Sequence, residues 1–188
     1  ETPLALDEDF RLILTKPIGT GVIMAANRQL KADAICVDDA IASMRHSNQH
    51  AADVFKENNI IAATDVTGFG LARHAQNLAV RLGLAGFVID LPSVPLLHGV
   101  TPLFEAGITS SLHEQNQHAI PIHNTGKIPP HSRDVLFDPQ TSGGLLGVFK
   151  AADAKNALNA LVKSGHRAAM IGRLDQHTAG ITIQSGGL

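Results

Sequence analysis

The chain has 188 residues, 44% of them apolar and 17% charged, and a formal net charge of −2. That suits one domain, or one and a half, with a real buried core. The 15 basic residues form no run against 17 acidic ones, which argues against a nucleic-acid surface; with seven Phe and no Trp or Tyr, stacking platforms for bases or sugars are also disfavoured.

A single cysteine, Cys36, leaves no internal disulfide and no multi-cysteine metal site. No apolar run approaches the roughly 18 residues of a membrane span, so no membrane partner is expected. The start of the chain has neither a basic n-region nor an apolar h-region, so no signal peptide is expected there. It also lacks an initiator Met, which points to a processed chain or a piece of a longer one. The expected compartment is the cytoplasm.

In chain order, residues 11–15 read as a short buried strand that ends before Pro17. Residues 16–21, Lys-Pro-Ile-Gly-Thr-Gly, form a tight loop into a helical stretch at 22–26. Its Gly-x-Gly lacks the downstream glycine of a dinucleotide fingerprint. From 38 to 56 the spacing of Ile41, Met44, Ala51 and Phe55 predicts one long amphipathic helix with a single buried stripe. A strand follows at 60–63, then the turn Thr64-Asp65-Val66-Thr67-Gly68-Phe69-Gly70. The next helix sets Leu71, Ala75, Leu78, Ala79 and Leu82 on one face and stops at Gly83. Residues 86–90 are a strand candidate.

Residues 106–133 show little periodicity and read as an irregular segment, of a length usually functional or mobile. The run 137–146, Phe-Asp-Pro-Gln-Thr-Ser-Gly-Gly-Leu-Leu, feeds a strand at 145–149. A helix at 152–163 and strands at 168–174 and 181–184 complete the chain. The pattern predicts an α+β fold, a mixed sheet packed with helices, as one domain over 1–188.

Two stretches carry chemistry. Asp65, at a strand end, offers the hard oxygen that Mg²⁺ takes alongside water and phosphate oxygens. Thr67, Gly68 and Gly70 follow at a helix N-terminus, which favours phosphate. The same residues read equally well as a helix cap. In the second stretch Gly143 and Gly144 permit close backbone approach, consecutive N–H groups can cradle an anion, and Thr141 and Ser142 add donors. On the local pattern alone a plain polar turn feeding the strand is the preferred reading. Two such turns in one domain suit phosphoryl handling, where catalysis is mostly positioning and charge neutralisation. One Asp holds Mg²⁺ poorly, so its partner carboxylates must come from elsewhere.

Among the ten histidines, His46 and His50 are spaced i, i+4 as in zinc sites, but no Glu lies between them and no third ligand is evident. A solvated helix face is the preferred reading. His113, His118, His123 and His131 are expected to be exposed, and His74 faces either the ligand turn or solvent. Cys36, placed just ahead of the long helix, reads as a small buried hydrophobe. Ser142 lacks the nucleophile turn of hydrolases. No catalytic residue is assigned.

The stretches 64–70 and 138–146 resemble the two signature stretches of selenophosphate synthetase (selenide, water dikinase). Residues 14–22, Leu-Thr-Lys-Pro-Ile-Gly-Thr-Gly-Val, resemble the start of that family's C-terminal domain, and Asn48 and Asn116 fall where the family tends to have Asn. The broader superfamily is that of aminoimidazole ribonucleotide synthetase, with thiamine-monophosphate kinase and a hydrogenase maturation factor as relatives. The resemblance implies an enzyme that converts selenide, ATP and water into selenophosphate, AMP and phosphate with Mg²⁺, built of two domains and dimeric. It implies that Asp65 is a metal ligand and that Thr67, Gly68, Thr141, Ser142, Gly143 and Gly144 line the cleft facing the ATP phosphates.

That family's N-terminal domain carries the reactive Cys or selenocysteine, an essential Lys and most of the metal-binding aspartates. None of these motifs occurs in this chain, and Cys36 does not stand where the nucleophile stands. The isolated chain is therefore expected to be inactive. Arg73 replaces the glycine common before the family's His, here His74, and residues 107–112 depart from the usual bacterial form. Two other readings stay open: another ATP-dependent superfamily enzyme, or a non-catalytic module of a larger oxidoreductase fusion.

Overall fold

The computed structural model describes residues 9–124, 128–175 and 178–186. The first half of the chain runs β1 (Phe10–Leu14), α1 (Thr20–Arg28), α2 (Ala34–Arg45), α3 (Gln49–Glu57), β2 (Ala62–Asp65), α4 (Gly70–Arg81) and β3 (Gly86–Asp90). The second half runs α5 (Val100–Glu105), α6 (His113–His118), β4 (Ile122–Asn124), α7 (Pro130–Asp134), β5 (Leu145–Lys150), α8 (Ala151–Lys163), β6 (Ala169–Asp175) and β7 (Gly180–Gln184).

The strands form one seven-stranded sheet in the order β2-β5-β1-β6-β3-β7-β4. β1 pairs antiparallel with both β5 and β6, and β2 and β3 add antiparallel outside them. β7 and β4 then continue in parallel from β3. The sheet is mixed and the fold α+β, as the alternation of elements predicted.

Alternation along the strands divides the core between the two faces of the sheet. Ile13 and Phe149 pack with Ala51, Val54 and Phe55 of α3 and with Ala154, Ala157 and Leu161 of α8. Their neighbours Leu12, Leu14, Leu146 and Val148 join the larger cluster with α1, α4 and α5. The stop predicted at Gly83 is a left-handed residue, φ 72°, from which Gly83 N donates to Val80 O and Leu84 N to Ala79 O.

Three expectations fail. The long helix over 38–56 is two helices, because His46 takes an extended conformation (φ −68°, ψ 121°) that ends α2, and α3 restarts after Ser47, whose Oγ accepts Gln49 N. Cys36 lies inside α2, buried as expected. The single stripe does not exist: Ala51 and Phe55 are buried, whereas Ile41 is 40% exposed. Residues 106–133, read as irregular, hold α6, β4 and the start of α7. Each is too short to show a period. His113, expected at the surface, is buried, its ring near those of Phe104 and Phe137. His118, His123 and His131 are exposed. Other boundaries differ by one or two residues, the ordinary scatter of element ends.

Candidate functional site

β2 pairs with β5 so that Asp65 stands opposite Leu145. The turn that leaves β2 and the loop that enters β5 therefore meet at the same end of the sheet. They are bonded to each other: Val66 N donates to Gly144 O (2.9 Å) and Gln140 N to Thr67 O (3.1 Å). A Cβ on Gly143 would lie 2.2 Å from Val66 O, so glycine is what lets the two turns close. Asn116 Nδ2 donates to both Gly68 O and Phe137 O, and Asn48 Nδ2 donates to Gly143 O. The two stretches singled out in the sequence are one structural unit.

Asp65 is exposed at the tip of β2. Behind it, His74 Nε2 accepts Thr67 N at 3.1 Å, which requires that nitrogen to be unprotonated. Burial lowers the His74 pKa and the nearby Asp65 charge opposes it. Of the two placements open for His74, the ring is turned inward and holds the turn.

Thr141 and Ser142 are exposed, Ser142 with φ 48°, while Gly143 and Gly144 are buried beneath them. Thr67 and Gly68 are partly exposed. A Cβ on Gly144 would meet Lys16 N at 2.7 Å, whereas one on Gly68 would meet nothing within 4 Å. Gly144 is thus required by packing and Gly68 is not.

The inward half of the loop does something the sequence did not disclose. Gln140 Oε1 accepts Gly19 N (3.0 Å), Thr20 N (3.2 Å) and Thr20 Oγ1 (3.2 Å). Its Nε2 donates to Asp138 O and Asp138 Oδ2. Asp138 Oδ2 in turn accepts Gly21 N at 3.0 Å, and Thr141 N donates to Thr20 Oγ1. These bonds satisfy the first-turn N–H groups of α1, which no residue of that helix can satisfy. Burial pushes the Asp138 carboxyl up to about 7 against the pull of the Val22 and Gly21 N–H groups and Gln140. Among the described residues its Oδ1 has no hydrogen-bond partner.

Among the described residues, no group of three or more His, Cys, Asp or Glu side chains is placed to hold a metal ion. Asp65 nonetheless fits a single position on Mg²⁺: it is an exposed carboxylate at the end of β2, and no hydrogen bond engages it among the described residues. His46 and His50 do not share a helix; His46 caps α2 and His50 lies in α3. Both rings instead meet His166, at 4.8 and 5.4 Å between centroids.

Sequence reading left out Lys16, which is buried and donates from Nζ to His46 O (2.6 Å) and Ser142 O (3.1 Å). Its place between a strand and a glycine loop gave no sign of this. His166 and the cap role of Gln140 were equally invisible, since their partners lie 116 and 121 positions away.

Residues 8–183 match the family model described as AIR synthase related protein, C-terminal domain. The chain is 34% identical over 165 residues to a selenide, water dikinase of Desulfitobacterium hafniense, covering 87% of this chain and 48% of that protein. It is 41% identical over 145 residues to a selenide, water dikinase of Geobacter metallireducens, covering 72% and 40%. The chain thus spans about half the length of the curated relatives it matches. Among solved structures, E. coli HypE superposes with a TM-score of 0.69 at 18% identity, over 97% of this chain and 48% of that one. Thiamine-monophosphate kinase from Stenotrophomonas maltophilia superposes at 0.60 with 19% identity, over 94% and 50%. At such identities the likeness is one of fold. The chain belongs to the family of AIR synthase related proteins, as their C-terminal domain.

Proposed function

We propose that this chain, one domain over 1–188, is the C-terminal part of a selenide, water dikinase, the ATP-dependent phosphotransferase that forms selenophosphate from selenide, ATP and water. Asp65 would be the carboxylate this chain offers to Mg²⁺, with further ligands supplied from outside the chain. Thr67, Gly68, Thr141, Ser142, Gly143 and Gly144 form the wall facing the ATP phosphates, with the exposed hydroxyls of Thr141 and Ser142 as donors. The observation that carries this reading is the bonding of the 65–70 turn to the 138–144 loop, beside an exposed carboxylate. The relatives named selenide, water dikinase support the substrate assignment.

Mg²⁺ when bound would neutralise charge on the phosphates, and this chain's own contribution to holding it would be the exposed Asp65 carboxylate. The reactive Cys or selenocysteine and the essential Lys belong to the other domain, so selenide and ATP are reached through a partner domain. The full-length enzyme is a cytoplasmic homodimer on this reading, and the isolated chain is inactive. The test is Asp65→Asn in the full-length protein, with selenide-dependent AMP formation followed against Mg²⁺ concentration. Activity is expected to fall by about 100-fold or more, the scale of losing one electrostatic group in a preorganised site. An unchanged Mg²⁺ dependence refutes the role of Asp65.

A further inference from the structure

Where the end of α2, α3 and the segment after α8 meet lies a cluster of cationic and titratable groups that the proposed function does not use. His166, buried at the start of the stretch leading to β6, is stacked on by His50 and met edge-on by His46. His50 Nδ1 and His166 Nε2 are 3.2 Å apart. Beside them a cavity of about 170 Å³ is lined by Lys16, Asp39, Ser43, His46, His166 and Arg167. His46 and His50 are exposed, so the cluster is reachable from solvent.

The charge balance of this cavity is one-sided. Lys16, Arg167 and the imidazoles of His46 and His166 line it, with His50 against His166, and among the described lining residues Asp39 is the one carboxylate. Both oxygens of that carboxylate are already engaged, Oδ1 by Arg167 Nη1 at 2.6 Å and Oδ2 by His98 N at 3.0 Å. His166 is held below its ordinary pKa by burial first, then by His46, His50 and Lys16. A hydrogen bond between two imidazoles likewise requires one bare nitrogen, so the pair cannot be doubly charged while it is made. An anion would reverse this balance, because each ring it faces becomes easier to protonate and each proton adds a charge-assisted donor.

We propose that the cavity between Lys16, His46, His166 and Arg167 binds a small free tetrahedral oxyanion, of the phosphate or sulfate class, with uptake of protons by the histidine cluster. The volume is several times the roughly 30 Å³ share of one water, which suits an ion of that size with its hydration partly kept. A metal ion is the other chemistry that three histidines suggest, but no such group among the described residues is placed to hold one. The site does not include Asp65; it is joined to the 138–144 loop through Lys16, whose Nζ donates to Ser142 O, and through Asn48, whose Nδ2 donates to Gly143 O. It does not depend on the function proposed above.

Sulfate is the probe, since its own charge does not change between pH 6 and pH 8. Full-length protein with ¹⁵N-labelled histidine is titrated with sodium sulfate against sodium chloride at matched ionic strength. Near pH 6 the ring nitrogens of His46, His50 and His166 are expected to move together and saturably. Uptake of one proton per anion weakens binding by up to about tenfold per pH unit on going to pH 8. His166→Gln is expected to abolish the saturable response of the other two rings, and His50→Gln, at an exposed position, to weaken it if the buried change unfolds the domain. Inorganic phosphate is expected to compete. Shifts that do not saturate, or an affinity independent of pH, overturn the proposal. So does a response to Zn²⁺ or to ATP where sulfate gives none; those results would mark a metal centre or a nucleotide subsite. Loss of the Asp65→Asn phenotype would leave this outcome unaffected, so the two readings fail separately.

Discussion

Gln140 offers the sharpest test of how the glycine-rich loop is built. Its side-chain oxygen accepts two buried backbone N–H groups at the start of α1, from Gly19 and Thr20, and its amide nitrogen donates to Asp138. Gln140→Ala leaves both N–H groups without their acceptor. A buried donor stranded in this way costs about 1–3 kcal/mol, so the pair amounts to about 2–6 kcal/mol before any cavity cost. With a urea slope of about 2 kcal/mol/M, the unfolding midpoint should fall by about 1–3 M.

The assay is equilibrium urea unfolding followed by circular dichroism, paired with hydrogen exchange at Gly19 and Thr20. Gln140→Glu sharpens it. The glutamate keeps an acceptor for α1 but turns a second carboxylate toward Asp138 where a donor stood, so its penalty should be larger at pH 8 than at pH 5. A midpoint for Gln140→Ala within about 0.5 M of the parent, with unprotected exchange at Gly19 and Thr20 already present in the parent, would refute the cap. The loop would then be an ordinary surface turn.

Two more outcomes follow from the same geometry. Asp138 is held near 7 in the folded chain against 3.8 ordinarily, so the folded state binds more protons than the unfolded one between those values. Stability should fall as pH rises through that window and level off above it, by a few kcal/mol in all; Asp138→Asn should flatten that slope in pH-dependent urea titrations. Gly143→Ala forces a Cβ to within 2.2 Å of Val66 O and should cost about 1–3 kcal/mol or more in thermal or urea unfolding, whereas Gly68→Ala, with open space around it, should be within about 0.5 kcal/mol of the parent. If Gly68→Ala nevertheless lowers full-length activity, the need for glycine there comes from ligand or partner domain and not from this fold.

Much of the architecture was legible because it is written locally. The strand Gly86–Asp90 is an apolar run between a glycine and a proline-flanked turn, and α4 carries a clear stripe with a glycine stop. What failed was information that needs a partner in space. Nothing in the helical spacing of Ile41 to Phe55 announces that His46 leaves the helix. Nothing in a five- or six-residue helix such as α6 or α7 spans enough turns to show a period. The site divided in the same way. Asp65 at a strand end and the glycines at 143 and 144 were visible as candidates, and the resemblance drew attention to Asn48 and Asn116, which turn out to tie the two stretches together. Whether a polar side chain in a turn faces water or a distant helix is not a local property, so Asp138 and Gln140 could not be told from Thr141 and Ser142.

That division lets one short run be scaffold on its inner side and, on the function proposed above, cleft wall on its outer side. Its inward residues, Asp138 and Gln140, are bonded to the first turn of α1; its outward residues, Thr141 and Ser142, stand in solvent; its glycines set the distance to Val66, one residue from Asp65. The position of the outward hydroxyls relative to the carboxylate is therefore fixed by buried contacts on the far side of the loop. Lys16 adds a second anchor through Ser142 O, from the segment directly after β1. On the proposed function, a change at Gln140 or Lys16 is expected to alter full-length activity by moving Thr141 and Ser142 relative to Asp65. A site that depends on positioning by fractions of an ångström gains more from a loop whose inner half is held at several buried points than from one whose polar groups all face the ligand.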